Sequence, residues 1–220
     1  MSLIAVVDYG MGNLRSVSKA LEHVASSGQK VKVTSDPADI AAADHVVFPG
    51  QGAARDCMLE LKQRGLIEPV LQATKEKPFF GICMGMQVLL AHSKENEGVD
   101  CMGLYDGEVR FFGTAFDDNK IDAKKEGLKI PHMGWNRVHQ TQAHPLWRGI
   151  KQDSRFYFVH SYYVSPEDEA LVAGKTDFGI NFVSAIARDN VFATQFHPEK
   201  SAADGLQLLE NFTRWNGSVS

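Results

Sequence analysis

The sequence predicts a single α/β domain with a mostly parallel, mixed sheet flanked by helices. Short apolar runs alternate with amphipathic stretches through the first half of the chain, which is typical of repeated β-α-β units. The second half carries closely spaced aromatic and β-branched runs separated by turn residues. Because no linker, internal repeat or low-complexity tract divides the 220 residues, we expect residues 1–220 to form one domain.

Four strands alternating with helices are predicted in the first half. The strands are residues 3–8, 31–34, 45–48 and an apolar run that begins at Pro78. The connecting helices begin near Leu14, Pro37 and Ala53, and the last of them is expected to break at Gly65. Strands connected in this way run parallel, with helices on both faces of the sheet.

The second half is predicted to be mainly strands. They cover residues 108–112, 136–138, 156–159, 170–173, 182–187 and 191–195. Asp189 and Asn190 lie between the last two strands and favour a hairpin turn. The charged segment 117–127 indicates an exposed loop or hairpin tip, and residues 202–215 are expected to close the chain as a helix.

Composition excludes several classes of function. A formal net charge of -4, without a dense run of Lys and Arg, argues against a nucleic-acid-binding surface. The opening run Leu3–Val7 is too short to span a membrane, and we interpret it as a strand and not a signal peptide. Three cysteines without framework spacing favour the cytoplasm. The chain has neither a CxxC nor an HExxH motif, so neither a metal site nor a cofactor is expected.

The segment Gly81–Gln87, GICMGMQ, has the pattern of a nucleophile elbow with Cys83 at its centre. It follows a bulky apolar run and precedes Val88–Ala91, which we interpret as the continuation of the elbow helix. Glycines two positions from Cys83 on each side would leave room for a strained turn. A thiol at a helix N-terminus is favoured as thiolate. The alternative is a small buried cysteine with a packing role.

His197 and Glu199 are the candidate base and its orienting acid. Pro198 lies between them and favours an extended conformation at His197, in which residues two apart project to the same side. The alternative is that His197 ends a strand and Glu199 is a solvated acid at a helix start. His92, His139 and His144 are expected at the surface.

Two backbone N–H groups could form an oxyanion hole. One belongs to Met84, directly after the candidate nucleophile. A second could come from the loop Pro49–Gly52, whose glycines permit unusual backbone angles. The alternative for this loop is an ordinary tight turn.

Three motifs together resemble the class I, triad-type glutamine amidotransferases, whose fold is flavodoxin-like. They are Pro49–Gly52, Gly81–Gln87 and Phe196–Ser201. Further stretches resemble one family within that class, the glutaminase subunits of imidazole glycerol phosphate synthases of histidine biosynthesis. These stretches are Asp8–Leu14, Ile130–Asn136 and His160–Tyr163.

The resemblance implies a role for each site residue. Cys83 would attack the side-chain amide of glutamine, His197 would transfer the proton, and Glu199 would orient the imidazole. The backbone of Gln51 and Met84 would form the oxyanion hole, although the family often has a small apolar residue where this chain has Gln51. The residues implied to bind glutamine are Gly50, Gly52, Gln87, Ser161 and Tyr162.

The resemblance also implies a partner. Ammonia would pass to a separate, barrel-shaped cyclase subunit in a heterodimer, and that subunit would make imidazole glycerol phosphate and an aminoimidazole-carboxamide ribotide. Asn13, Trp135 and Lys200 would lie at or near this interface; the alternatives are a loop-capping Asn, a core Trp and a solvated Lys. Cys57 and Cys101 are interpreted as packing or surface residues.

Three other functions remain open from the sequence. The chain could be a glutaminase subunit of another synthase, for instance of the pyridoxal phosphate type. It could be a stand-alone γ-glutamyl Cys hydrolase, or a binding module that retained the fold without the activity.

Overall fold

The computed structural model describes residues 2–219, which form fourteen strands, seven α-helices and four short 3₁₀ helices. The strands are β1 (Ser2–Val7), β2 (Gln29–Thr34), β3 (His45–Gly50), β4 (Phe79–Cys83), β5 (Leu90–Ser93), β6 (Val99–Asp100), β7 (Tyr105–Phe111), β8 (His132–Arg137), β9 (His139–Gln140), β10 (Arg155–His160), β11 (Tyr162–Pro166), β12 (Val172–Phe178), β13 (Ile180–Arg188) and β14 (Val191–Thr194). The α-helices are α1 (Leu14–Val24), α2 (Pro37–Ala42), α3 (Ala54–Gln63), α4 (Ile67–Glu76), α5 (Met84–Gln87), α6 (Phe112–Asp118) and α7 (Ala202–Arg214). The 3₁₀ helices are η1 (Glu95–Glu97), η2 (Pro145–Trp147), η3 (Glu169–Leu171) and η4 (Pro198–Lys200).

Twelve strands form one mixed sheet. Its main path is β2-β1-β3-β4-β14-β13-β11-β7-β5-β6, with β12 paired to β13 and β9 to β12. The first five strands of this path pair in parallel, in the order of a flavodoxin-like sheet. The antiparallel pairs all lie after Cys83, and β8 and β10 form a separate ribbon. The predicted α/β class with a mixed sheet is confirmed.

Hydrophobic cores cover both faces of the parallel strands. In β1, Ile4 and Val6 contribute to one cluster, whereas Ala5 and Val7 contribute to the other. Successive residues of a strand point to opposite faces, so a strand buried on both sides is apolar throughout. This explains why β1 is a continuous apolar run. No helix within residues 2–219 is long and apolar enough to cross a membrane.

The predicted elbow helix is wrong in length. The helix after Cys83 is the single turn α5, and Leu90 already begins β5. The carbonyl oxygens of Val88 and Leu89 accept hydrogen bonds from the backbone of Met102 and Tyr105, at 2.9 and 3.1 Å. A fully buried apolar run has no polar face to reveal its period, so pairing with distant segments decided its structure.

Several boundaries in the second half also differ from the prediction. Phe112 begins α6 and does not end a strand, and this helix covers the start of the predicted loop 117–127. β8 begins four residues earlier than predicted, at His132, and residues 169–171 form η3 before β12. The hairpin is confirmed, with Asp189 at a φ of 52° between β13 and β14.

Candidate active site

Cys83 occupies a strained turn between β4 and α5. Its φ and ψ are 56° and -109°, in a region that non-glycine residues rarely adopt. A side chain at Gly85 would collide with the carbonyl oxygen of Phe48, and a Cβ at Gly81 would lie 2.8 Å from the carbonyl oxygen of Gly85. The two glycines of the motif are therefore required by the close packing of the elbow, as predicted.

The sheet brings the histidine segment to the elbow. β14 pairs in parallel with β4, with Thr194 opposite Ile82, so both strands end at the same edge. Beyond β14 the backbone is held at His197, whose N–H donates to the Tyr157 carbonyl at 2.9 Å. The Ser201 hydroxyl donates to the His197 carbonyl at 2.6 Å. The chain therefore places the imidazole next to the thiol although the two residues are far apart in sequence.

His197 and Glu199 form a buried pair. His197 Nδ1 lies 2.9 Å from Glu199 Oε1, and the two side chains are 2% and 1% exposed. This burial excludes the interpretation of Glu199 as a solvated acid. Because the carboxylate accepts the Nδ1 proton, His197 Nε2 is the atom left for proton transfer. Nε2 is buried and has no hydrogen-bond partner within residues 2–219.

The pKa of His197 reflects opposing effects. Burial lowers it, but the proximity of Cys83 and the hydrogen bond and charge of Glu199 together raise the pKa to about 10. The imidazole is thus stabilised in its protonated form beside the sulfur. This electrostatic arrangement suits a cysteine nucleophile.

A cavity of about 420 Å³ opens beside the pair. Its wall contains these sequence-predicted residues: Gln51, Gly52, Cys83, Met84, Gln87, Ser161, Tyr162, His197 and Lys200. Four further residues of the wall were not predicted: Glu95, Pro131, Val159 and His160. The fold therefore collects the predicted residues, which come from four separate segments of the chain, around one space.

Gly50, which the sequence resemblance implied as a glutamine-binding residue, is absent from the wall of this cavity. It is paired with Cys83 in the register of β3 and β4, and a Cβ there would lie 2.7 Å from Met84 Cβ and collide with the Tyr9 hydroxyl. Glycine at this position is explained by packing beneath the oxyanion loop. Gly52, in contrast, lies at the wall with a φ of 91°.

A polar network lies behind the wall. Gln87 Nε2 donates to the Tyr162 carbonyl at 3.3 Å and to Gln195 Oε1 at 3.0 Å. Gln87 Oε1 is buried and has no partner within residues 2–219. Since Gln87 also lines the cavity, this oxygen is an unused acceptor at the place where a ligand would lie.

Two buried histidines support the same wall. His132 Nδ1 lies 2.9 Å from His160 Nε2, and His160 Nδ1 lies 2.7 Å from the Tyr162 carbonyl oxygen. Burial lowers the pKa of His132 to about 4 and that of His160 to about 3. Both rings are therefore neutral near neutral pH. The sequence offered no periodic signal for this pair, because the rings meet across the ribbon of β8 and β10.

His144 is buried, and its predicted surface position is wrong. Its ring packs against Phe192 and Trp215, and its Nδ1 accepts a hydrogen bond from the Leu146 N–H at 3.1 Å. Burial lowers the pKa of His144 to about 4.

The buried neutral histidines predict a loss of stability in acid. An unfolded histidine takes up a proton near pH 6.5, whereas folded His144 does so only near pH 4, so falling pH favours unfolding within this window. For each such residue the free energy of unfolding should fall by up to about 2 kcal/mol between roughly pH 6.5 and 5. Urea denaturation at several pH values in this range measures how steeply the free energy of unfolding falls.

His144→Asn is the matched variant, because asparagine can keep the bond to Leu146 but cannot titrate. Its free energy of unfolding should fall less steeply with decreasing pH than that of the wild type, by the contribution of one histidine. Parallel slopes for the two proteins would show that His144 is not neutral in the folded state.

Of the three residues predicted at a partner interface, Lys200 lines the cavity, and Asn13 and Trp135 do not. Trp135 is 49% exposed on β8, so it is not a core residue. The centre of its ring lies 6.2 Å from that of Tyr157, and Lys200 Nζ lies 5.9 Å from the centre of the same Tyr157 ring. Asn13 caps α1 by accepting from the Ser16 N–H at 3.4 Å, as its structural alternative anticipated.

The other two cysteines, Cys57 and Cys101, are free and do not line the cavity. Burial raises the pKa of Cys57 to about 12 and that of Cys101 to about 11, which suppresses their thiolate forms. No group of three or more His, Cys, Asp or Glu side chains within residues 2–219 is arranged to hold a metal ion.

A family model for class-I glutamine amidotransferases matches residues 5–215. The chain therefore belongs to this family. Solved structures agree at the level of the fold: a glutamine amidotransferase covers 96% of this chain and 97% of its own, with a TM-score of 0.69 at 16% identity. PurLQS from Thermotoga maritima covers 97% of this chain and 98% of its own, with a TM-score of 0.67 at 17% identity.

Sequence relatives narrow the resemblance to imidazole glycerol phosphate synthase subunits HisH. The subunit from Nitrosococcus oceani is 58% identical, over 99% of each chain. The subunit from Dechloromonas aromatica is 60% identical, over 96% of each chain. The subunit from Pseudomonas putida is 54% identical, over 99% of each chain. The resemblance identified in the sequence is confirmed at both levels.

Proposed function

We propose that this chain hydrolyses glutamine to glutamate and ammonia and supplies the ammonia to a separate cyclase subunit of imidazole glycerol phosphate synthase. The observation that carries the proposal is the convergence of Cys83 with the buried pair His197 and Glu199 at one cavity. The names of the relatives support the same activity in histidine biosynthesis. The whole chain, residues 1–220, acts as one amidotransferase domain.

In the first step, the Cys83 sulfur attacks the side-chain amide carbon of glutamine. The S–C bond forms and gives a tetrahedral intermediate, whose negative oxygen is stabilised by the backbone N–H groups of Gln51 and Met84. The C–N bond then breaks, and His197 delivers from Nε2 the proton with which the amide nitrogen leaves as ammonia. Glu199 holds the Nδ1 proton throughout, as the 2.9 Å contact requires.

In the second step, water attacks the γ-glutamyl thioester. His197 accepts one water proton as the C–O bond forms, and the S–C bond then breaks. Glutamate leaves and the Cys83–His197 pair returns to its starting protonation. Both steps balance without a metal or a cofactor.

The cavity wall also suits the amino-acid head of glutamine. Ser161 and Tyr162 offer backbone groups, Gly52 permits close approach, and Gln87 offers its free oxygen. Glu95 supplies the carboxylate for the α-ammonium group: its Oε2 accepts from the Ala54 N–H at 2.7 Å, which fixes the side chain at the wall. Sequence patterns did not indicate Glu95, because it lies in the irregular turn η1, in which Asn96 has a φ of 49°.

Glu95→Gln should raise KM for glutamine by roughly 10- to 100-fold with little change in kcat. The substitution removes a charge that binds the ground state and the transition state equally, and a charge-assisted bond contributes about 1.5–3 kcal/mol. Glu97→Gln, an exposed acid in the same turn, is the control and should leave both constants unchanged. An unchanged KM for Glu95→Gln would exclude the ammonium contact.

The partner would dock on the surface that surrounds the cavity mouth. Exposed Met133 and Trp135 provide apolar area on β8, and Lys200 adds a cation at the mouth itself. Asn13 lies in the loop before α1 and would contribute at the edge. Binding here would form the predicted heterodimer and close the cavity toward the barrel-shaped cyclase, so that ammonia would not meet solvent. We place the complex in the cytoplasm because the three cysteines are free.

Glutamate release by the purified chain, alone and mixed with the cyclase subunit, tests the function. Turnover should be slow alone and should rise by about tenfold or more when the cyclase binds its own nucleotide ligand, which is an ordinary scale for coupling between sites. Products of the complex should be imidazole glycerol phosphate and the aminoimidazole-carboxamide ribotide. Stimulation instead by a pyridoxal phosphate synthase would assign another pathway, and rapid turnover without any partner would indicate a stand-alone γ-glutamyl hydrolase.

A further inference from the structure

One polar side chain next to the Cys83 sulfur, that of Gln195, has no role in the proposed triad mechanism. Gln195 is fully buried directly after β14, and its Nε2 lies 3.6 Å from Cys83 Sγ, within hydrogen-bond distance for a sulfur acceptor. Neither the elbow motif nor the histidine motif depends on this side chain. A buried amide is costly unless its donors and acceptor are used, so its orientation is informative.

The surroundings fix which end of the Gln195 amide faces the sulfur. The Tyr162 backbone carbonyl can only accept, so the group that Gln87 directs to it at 3.3 Å must be the amino group. That amino group also lies 3.0 Å from Gln195, which must therefore present its oxygen to Gln87. The NH₂ group of Gln195 is left to point at Cys83. His160, which donates to the same Tyr162 carbonyl at 2.7 Å, holds the start of this chain of bonds in place.

We propose that Gln195 is a further catalytic residue, which donates an amide N–H to the Cys83 sulfur and stabilises the thiolate, while Gln87 positions it. This inference rests on the proposed glutaminase function and deepens it. A hydrogen bond to a charged acceptor is about twice as strong as a neutral one, and more so in a buried site.

A neutral donor keeps its hydrogen bond to the sulfur while His197 changes charge during the cycle. His197 stabilises the thiolate in the resting pair, but it has given up its proton when ammonia leaves and must accept another from water. When the thioester then breaks, the sulfur departs as an anion, and the Gln195 amide can stabilise it without protonating it. The Gln195 amide thus stabilises the sulfur throughout the cycle, whereas the stabilisation by His197 depends on whether its ring is protonated.

Several titratable groups lie around the sulfur, and each could influence its charge. They are His197 and Glu199 after β14, Tyr9 after β1, and His160, Glu95 and Lys200 in the cavity wall. Gln195 differs from all of these because it cannot ionise. Its effect on the thiolate should therefore persist across the pH range in which the others change charge.

The test is the pH dependence of alkylation of Cys83 by iodoacetamide, followed on the Cys83 peptide by mass spectrometry in the full-length chain. In Gln195→Met, which keeps the length but has no donor, the rate near pH 6 should fall about tenfold and the profile should move to higher pH. In the cyclase complex, kcat should fall by roughly tenfold or more while KM changes little. Gln195→Glu, which keeps the shape but places a negative charge at the sulfur, should have the larger effect in both assays.

Thr74→Val is the matched control, because it removes a buried hydroxyl whose hydrogen bond, to Leu71, lies in α4 and away from the cavity. It should leave the alkylation profile unchanged. Profiles of Gln195→Met and Gln195→Glu that superimpose on the wild type would overturn the inference and leave the proposed function intact. A wild-type Cys83 that reacts no faster than Cys101 near pH 6 would instead contradict the proposed function itself.

Discussion

Cys83→Ala should abolish glutamine hydrolysis and, with it, glutamine-dependent synthesis by the cyclase complex. The substitution removes the sulfur that forms the γ-glutamyl thioester in the proposed mechanism. Loss of a nucleophile that works with a base lowers kcat by at least about 10³-fold. Synthesis from added ammonia should persist, because the partner's site is untouched. Product formation measured with glutamine and with ammonia as alternative nitrogen sources separates the two effects.

Cys101→Ala is the control for this result. Cys101 is partly exposed and belongs to no polar cluster at the cavity, so the variant should use both nitrogen sources at the wild-type rate. Retention of glutamine-dependent synthesis by Cys83→Ala would favour a binding module that only kept the fold. Loss of ammonia-dependent synthesis as well would show that the variant fails to assemble with its partner.

Glu199→Gln should lower kcat by about 10³- to 10⁴-fold with KM nearly unchanged. The carboxylate accepts the Nδ1 proton of His197, and an amide in its place no longer selects the tautomer that leaves Nε2 free. Glu199 is also one of the groups that raise the pKa of His197 to about 10. Its loss should therefore move the alkaline limb of the pH–rate profile to lower pH.

The stability of this pair changes with pH in a defined direction. A histidine whose pKa is raised on folding stabilises the protein below its unfolded pKa of about 6.5, and this contribution is lost as the pH rises toward about 10. Glu199→Gln should reduce that dependence. Glu210→Gln, in a partly exposed ion pair with Arg214, is the control and should change neither the profile nor kcat. A Glu199→Gln enzyme with wild-type kcat would remove Glu199 from the mechanism.

Local chemistry made the geometry of the elbow and of the pair His197 and Glu199 predictable from sequence. A side chain at either glycine of the elbow would collide with its neighbours within one short turn. Pro198 separates His197 and Glu199 by the spacing that brings their side chains together. Such patterns are properties of a few adjacent residues, so no knowledge of the strand order was needed.

Features that depend on strand order were not predictable in this way. Gln195 reaches Cys83 only because β14 inserts beside β4, and His132 meets His160 only because β8 pairs with β10. The apolar run from Val88 was misassigned for the same reason, since its partners lie in β7 and in the segment before it. Trp135 was predicted at a partner interface with a core position as the alternative, and it is half exposed on β8.

We propose that Cys83 carries the glutamyl group during turnover. The most direct test is acid quenching of the cyclase complex during steady-state hydrolysis of glutamine, followed by digestion and mass spectrometry of the peptide that contains residues 81–87. We expect an adduct of one glutamyl group on Cys83, absent from Cys83→Ala. Full-rate hydrolysis with an adduct on a different residue would contradict this role of Cys83.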